Sequence, residues 1–164
     1  MTLATHAIAG AALATFVPEH PVVGFCAGFA SHLVLDAFPH WNYKVRSQSL
    51  NPRVGGKMKL NGDMLIDFFA ITAEFLVGIV LVFLFFGGAL APVAIWCGVA
   101  GALLPDLLHF IYTRAPRLPL LPQFERFHIK IQREILEKNI PVGVLSQIGW
   151  TTTINPAAKV IVAL

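Results

Sequence analysis

The chain has 164 residues, enough for one domain, and its composition excludes an ordinary soluble protein. Hydrophobic residues make up 56% and charged residues 13%, so the charged fraction is about half that of an average soluble domain. The net charge of +3 is mild, and there is no basic stripe with interleaved aromatic residues that would indicate binding to nucleic acid. The composition therefore predicts an integral membrane protein.

Four apolar segments predict four short transmembrane helices. Their predicted bounds are residues 2–17, 22–38, 63–86 and 92–113. "PEHP" at 18–21 and "GG" at 87–88 mark tight turns, and Pro39 ends the second helix. The polar, basic segment 41–60 predicts a loop because it is rich in Gly, Pro and Asn. The start, "MTLATHAIAG", lacks the basic region of a cleavable signal, so we expect the first helix to remain in the mature protein.

After the fourth predicted helix the sequence is no longer uniformly apolar. Residues 123–139 place apolar side chains at helical spacing with charged residues between them, which predicts an amphipathic helix on the membrane surface. His128 lies on this helix and is interpreted as an interfacial residue. The tail, 140–164, is apolar but interrupted by polar residues, so it is compatible with a fifth span, a re-entrant piece or an interfacial hairpin.

The predicted fold is all-α, a polytopic membrane protein in which residues 1–164 form one domain. Residues 1–113 form its four-helix core. Lys and Arg occur in segment 41–60 and after residue 113, whereas the two opposite turns contain neither. By the positive-inside rule, the basic side faces the cytoplasm, where it would attract the anionic headgroups of membrane lipids.

Ionisable side chains gather at the four helix ends on this side. They are His6, His32, Asp36, His40, Asp63, Asp67, Asp106 and His109. His32 and Asp36 are four residues apart and therefore share one helix face, as do Asp106 and His109 at a spacing of three. His32 lies more than one turn inside its helix, and ionisable residues at that depth normally face a cavity or one another. Such a set suits a divalent ion; zinc is the expected one, with Mn, Fe and Mg as alternatives.

Three motifs that carry these residues resemble a known family. They are "THAIAGAAL", "SHLVLDAFPHW" and "GALLPDLLHF". Together they resemble the bacterial membrane-bound metal-dependent hydrolases, inner-membrane proteins of the LexA-regulated type, over most of residues 1–113. The order of the motifs looks permuted, and Leu108 stands where the family pattern has a second acid. The resemblance implies a metal site formed by His6, His32, Asp36, Asp106 and His109.

The predicted function is that of a membrane-embedded metal-dependent hydrolase acting on a phosphate or carboxylic ester, lipid-linked, at the cytoplasmic leaflet of the bacterial inner membrane. The predicted metal ligands are His32, Asp36, His40, Asp106 and His109. Asp67 or His6 would complete the shell or act as general base. Two alternatives stay open: a proton or metal-ion transporter, for which Glu74 is the one candidate link to the far side, and a non-catalytic protein whose cluster is a structural clasp. The substrate and the oligomeric state stay open as well.

Overall fold

Six helices form the regular structure of this chain in a computed structural model that describes residues 1–42, 45–47, 60–88, 92–133 and 140–162. They are α1 (Leu3–Ala14), α2 (Pro21–Asp36), α3 (Gly62–Phe86), α4 (Pro92–Arg114), α5 (Leu121–Ile131) and α6 (Ile140–Val162). The described ranges contain no strand, so the predicted all-α class is confirmed. Residues 134–139 of the predicted amphipathic helix, and most of segment 41–60, lie outside the described residues.

Two of the six helices, α3 and α4, are long and apolar enough to cross a membrane. Only 11% of the most apolar stretch of α3 is buried. Phe69 and Leu84, for example, are 68% and 69% exposed. Soluble proteins bury most such side chains in their cores, so α3 exposes an unusually large apolar surface.

The helices α1 and α2 are shorter than predicted, with 12 and 16 residues. The hydroxyl of Thr15 donates a hydrogen bond to the carbonyl of Ala12 at 2.6 Å, and α1 ends there. Pro21 begins α2, because proline fits the first position of a helix. Both helices fall short of the roughly 20 residues that cross a hydrocarbon core, and the prediction of four spans is therefore not confirmed.

The central packing unit consists of α1, α2 and α4, which lie against one another more extensively than any other elements. Small residues allow this approach: a methyl group on Gly28 would collide with the carbonyl oxygen of Gly98 on α4. The helices α3 and α6 pack against α1, and α5 packs against α4 and α2. The amino-terminal part of α1, the end of α2 and the second half of α4 consequently meet on one side, next to α5.

Two sets of hydrogen bonds join the later chain to this side. The Gln147 side chain of α6 donates to the carbonyl of Trp41 and accepts from the hydroxyl of Thr5. The amide of Arg133, just after α5, donates to the carbonyl of Asp36 at 2.9 Å, and the amide of His40 donates to the carbonyl of Arg133 at 3.3 Å. The tail thus forms a single helix through residue 162 that supports the side where the ionisable residues gather.

Candidate metal centre

Asp36, the last residue of α2, lies at the centre of the buried ionisable residues and is fully buried. Four imidazole rings direct their Nε2 atoms at its carboxylate. Those of His32 and His128 lie 3.2 and 3.1 Å from Oδ2. Those of His6 and His40 lie 3.2 and 3.7 Å from Oδ1. At most 1% of any of these five side chains is exposed, so water cannot solvate them. The carboxylate and the rings must therefore pair with one another or bind a common cation.

The local sequence explains how α2 brings three of these residues together. His32 and Asp36 are one turn apart on the same face. Pro39 cannot continue the helix, so the chain turns back and carries His40 to the other side of the carboxylate. The bonds through Arg133 then fix this turn against the end of α5.

The hydrogen bonds of His32 and His40 fix which ring nitrogen carries a proton. Nδ1 of His32 lies 2.7 Å from the carbonyl oxygen of Ala102, and Nδ1 of His40 lies 2.8 Å from that of Phe38. A carbonyl oxygen can only accept, so both Nδ1 atoms are donors. In a neutral ring the lone pair of Nε2 then faces the Asp36 carboxylate. Two facing acceptors repel unless a cation lies between them or the ring is protonated, and this anchoring of Nδ1 is typical of metal-binding histidines.

Three donor atoms form a nearly equilateral triangle. The Nε2 atoms of His32 and His128 are 3.2 Å apart, and they lie 3.2 and 3.1 Å from Oδ2 of Asp36. Tetrahedral zinc with bonds of about 2.0–2.1 Å to nitrogen or oxygen places its ligands about 3.3 Å apart. Oδ1 of Asp106 lies 3.8 Å from Nε2 of His32 and offers a fourth ligand. The donor set therefore fits a divalent ion of zinc size.

Asp106 also marks the open side of the centre. Its side chain is 32% exposed, in contrast to the fully buried Asp36 and His32. Gln132 closes the side near α5, where its amide donates to Oδ2 of Asp36 at 3.3 Å. The Met1 amino group lies 2.7 Å from Oδ1 and places a positive charge beside that oxygen.

His109, predicted as a metal ligand, is not brought to this centre. Its Nδ1 lies 2.7 Å from a carboxylate oxygen of Glu125 on α5. In the described part of the chain, two groups of donor atoms lie close enough together to share an ion, and neither includes His109: one is formed by His6, His32 and Asp36, the other by His32, Asp106 and His128. Because His109 follows Asp106 by three residues and Glu125 precedes His128 by three, this pair lies about one helical turn from the centre.

Asp67, predicted to complete the shell or act as general base, is not brought to the centre either. Its carboxylate accepts hydrogen bonds from the amides of Arg46 and Ser47 at 3.0 and 2.7 Å. Asp67 therefore anchors the segment that follows α2. Asp63 is bonded to the side chain of Asn61 at 2.9 Å. The carboxylates at the start of α3 thus bond to backbone amides and to a side chain next to the helix start. His6 and His40, in contrast, do reach the cluster around Asp36.

His128 is the residue that sequence reasoning missed. It was interpreted as interfacial, and the structure buries it between α2 and α4. The signal was present, because Glu125 and His128 are three residues apart and therefore share one face of α5. This polar face points inward, while Phe127 and Ile129 on the outer face are 51% and 57% exposed.

Comparison with known proteins does not assign the chain to a family. No family model, curated protein or solved structure matches it. We therefore infer the chemistry of the centre from its own side chains.

Proposed function

We propose that this protein is a membrane-embedded, metal-dependent hydrolase that cleaves a phosphate or carboxylic ester at the cytoplasmic leaflet of the bacterial inner membrane. The observation that carries the proposal is the triangle of donor atoms from His32, His128 and Asp36, with edges of 3.1–3.2 Å. Together with Asp106 these residues hold the ion, and zinc fits their spacing. A divalent ion at this place would polarise an ester oxygen and activate water for its hydrolysis.

The proposed topology is polytopic, with α1 and α2 as short spans beside α3 and α4. It is supported by the apolar surface that α2 exposes, for instance at Val22 and Val34, which are 76% and 57% exposed. The exposed basic residues Arg114, Arg117 and Arg126 lie in the segments next to the centre, not in the opposite turn at residues 18–20. By the positive-inside rule, this distribution of basic residues supports a centre that faces the cytoplasm.

The open side of the centre is where water and the ester would enter. Asp106 reaches this side, and His109 lies one turn further along α4 with 32% of its side chain exposed. A catalytic metal site keeps such a position accessible, in contrast to a structural site, which is closed by protein ligands.

His109 and Glu125 form a pair suited to proton transfer. The buried carboxylate of Glu125 accepts from Nδ1 of His109 and so holds the ring in one orientation. Nε2 of His109 can then take a proton from water or give one to the departing oxygen, as an imidazole oriented by a carboxylate does in other hydrolases. In this proposal the pair has the acid–base role that the sequence suggested for Asp67 or His6.

A lipid-linked ester suits the surroundings of the site. The outer face of α5 presents Phe127 and Ile129, which match the acyl region of a leaflet. Arg126 and Lys130 are exposed on the same helix and would attract an anionic headgroup or a phosphate.

The test uses purified, zinc-loaded protein in mixed micelles that contain anionic lipid. The substrates are p-nitrophenyl phosphate and the p-nitrophenyl ester of a medium-chain fatty acid. We expect hydrolysis of one of them, loss of hydrolysis in Asp36→Ala, and no change in His20→Ala, since His20 is exposed in the opposite turn. Absence of turnover of both substrates, or turnover that survives Asp36→Ala, would contradict the proposal.

A structural clasp is the second candidate. It is favoured by the Met1 amino group and the Gln132 amide, which already donate to the Asp36 carboxylate at 2.7 and 3.3 Å. A clasp requires no ion, and removal of Asp36 would then lower the melting temperature of a metal-free protein, because its partners stay buried without the carboxylate.

A further inference from the structure

Gln132, the residue that follows α5, brings a side-chain amide to the edge of the donor triangle between His128 and Asp36. Its Nε2 lies 3.3 Å from Oδ2 of Asp36 and 3.3 Å from Nε2 of His128. We infer that Gln132 is a further metal ligand, which binds the ion through its amide oxygen Oε1. This inference rests on the proposed metal centre and deepens it, because it adds a ligand and determines which side of the ion stays open to the substrate.

The distances from Gln132 match those between ligands of one ion. The tetrahedral ligands of a zinc-sized ion lie about 3.3 Å apart. The edge of the triangle beside Gln132, from Nε2 of His128 to Oδ2 of Asp36, measures 3.1 Å. The end of the amide is thus almost as close to these two atoms as they are to each other.

The contact between the amide and His128 shows which nitrogen of that ring has a free lone pair. An amide nitrogen can only donate, so Nε2 of His128 accepts the hydrogen bond from Gln132. The lone pair of Nε2 is therefore available on the side of the ring that faces the triangle. This is the state of the ring that a metal ligand requires.

The Gln132 amide can offer oxygen at the place where it now presents nitrogen. Nε2 faces the Asp36 carboxylate because an oxygen there would face a second acceptor. Rotation about the last side-chain bond exchanges Oε1 and Nε2, and the two ends of an amide have nearly the same shape. A cation among these atoms favours the oxygen end, because amide oxygens bind metal ions and the protonated nitrogen does not.

The backbone holds Gln132 in this position from both sides. Its amide donates to the carbonyl of His128 at 3.2 Å, and the amide of the next residue, Arg133, donates to the carbonyl of Asp36 at 2.9 Å. The backbone of Gln132 is extended, with φ of −60° and ψ of 132°, so α5 ends here. Gln132 is thus tied through the main chain to the same two residues that its side chain contacts.

A ligand at this position closes one side of the ion. Gln132 lies on the side near α5, whereas Asp106, with 32% of its side chain exposed, lies on the open side. Water and the ester would then reach the ion beside Asp106. Two imidazoles, two carboxylates and one amide oxygen form a mixed nitrogen and oxygen shell that suits borderline and hard divalent ions.

The test measures binding of Co²⁺ to the full chain in detergent and the visible absorption of the bound ion, which changes with the number and geometry of its ligands. Gln132→Leu should shift these absorption bands and weaken binding at least about tenfold, the lower limit for loss of a group that only supports a ligand. Gln132→Glu should keep the wild-type bands, because a carboxylate oxygen can replace Oε1. The control is Gln123→Leu, an exposed position on α5, which should change neither the bands nor the affinity.

The outcomes separate this inference from the proposed function. Wild-type bands in Gln132→Leu would overturn Gln132 as a ligand and leave the metal centre standing, with the amide as a donor to Asp36 only. Absence of Co²⁺ binding in the wild type would overturn both. Both variants lose the donor to Asp36, so the bands, rather than the affinity alone, identify a ligand. If Gln132→Leu does not fold, Gln132→Glu decides, because altered bands or lost binding in that variant would overturn the inference.

Discussion

Exchange of His128 for alanine should weaken metal binding far more than exchange of His109. Nε2 of His128 forms two edges of the donor triangle, 3.2 Å from His32 and 3.1 Å from Asp36. Loss of a residue that only supports a ligand costs about 10–100-fold in affinity, so loss of a ligand should cost at least about 100-fold, or about 2.7 kcal/mol. His109 is bonded to Glu125 outside the triangle, and its loss should cost about tenfold at most, or about 1.4 kcal/mol.

The assay is competition between each protein and a chromophoric zinc chelator of known affinity, in the same detergent. His128→Ala and His109→Ala form a matched pair, because each removes one imidazole that contacts a carboxylate on another helix: His128 of α5 contacts Asp36 of α2, and His109 of α4 contacts Glu125 of α5. Hydrolysis should fall in both, about 10²–10⁴-fold in His109→Ala if it transfers the proton. Equal loss of zinc affinity in the two variants, or retention of affinity in His128→Ala, would refute the assignment of ligands.

Further predictions concern packing, topology and Asp67. Gly28→Ala should destabilise the protein by about 1–3 kcal/mol in a reversible unfolding assay, because the methyl group meets the α4 backbone, whereas Gly149→Ala, which meets nothing, should be neutral or mildly stabilising. In a background without native cysteines, an impermeant maleimide applied to intact cells should label cysteine at Glu19 and spare cysteine at Arg117; the reverse pattern would contradict a cytoplasmic centre. Asp67→Ala should release segment 45–47 to proteolysis while leaving zinc content unchanged, and loss of zinc would place Asp67 back in the site.

The part of the centre that could be predicted from the sequence is the part encoded locally. His32 and Asp36 share a helix face by spacing alone, and Pro39 ends that helix wherever the rest of the chain lies. The approach of His6 and Asp106 followed from counting which helix ends face the same side. Helix order and the reversal at each turn were sufficient to bring these residues together.

The rest depended on contacts that no local pattern contains. His128 reaches Asp36 across 92 residues of sequence, and an amphipathic helix does not reveal which of its faces points inward. In water the apolar face of α5 would be buried, but here Phe127 faces outward and His128 inward. The position of Asp67 could not be predicted for a similar reason. Its hydrogen-bond donors are the backbone amides of residues 46 and 47, and the types of side chain at those positions do not indicate such bonds.

The most direct test of the metal centre is elemental analysis of the wild type beside Asp36→Ala, both purified without chelator and without a polyhistidine tag. Asp36 is contacted by all four buried imidazoles of the centre, so its loss removes the shared ligand. We predict at least one divalent transition-metal ion per chain in the wild type and none in Asp36→Ala. A metal-free wild type that cannot be loaded with zinc, together with a lower melting temperature of Asp36→Ala, would contradict the metal centre and support the clasp.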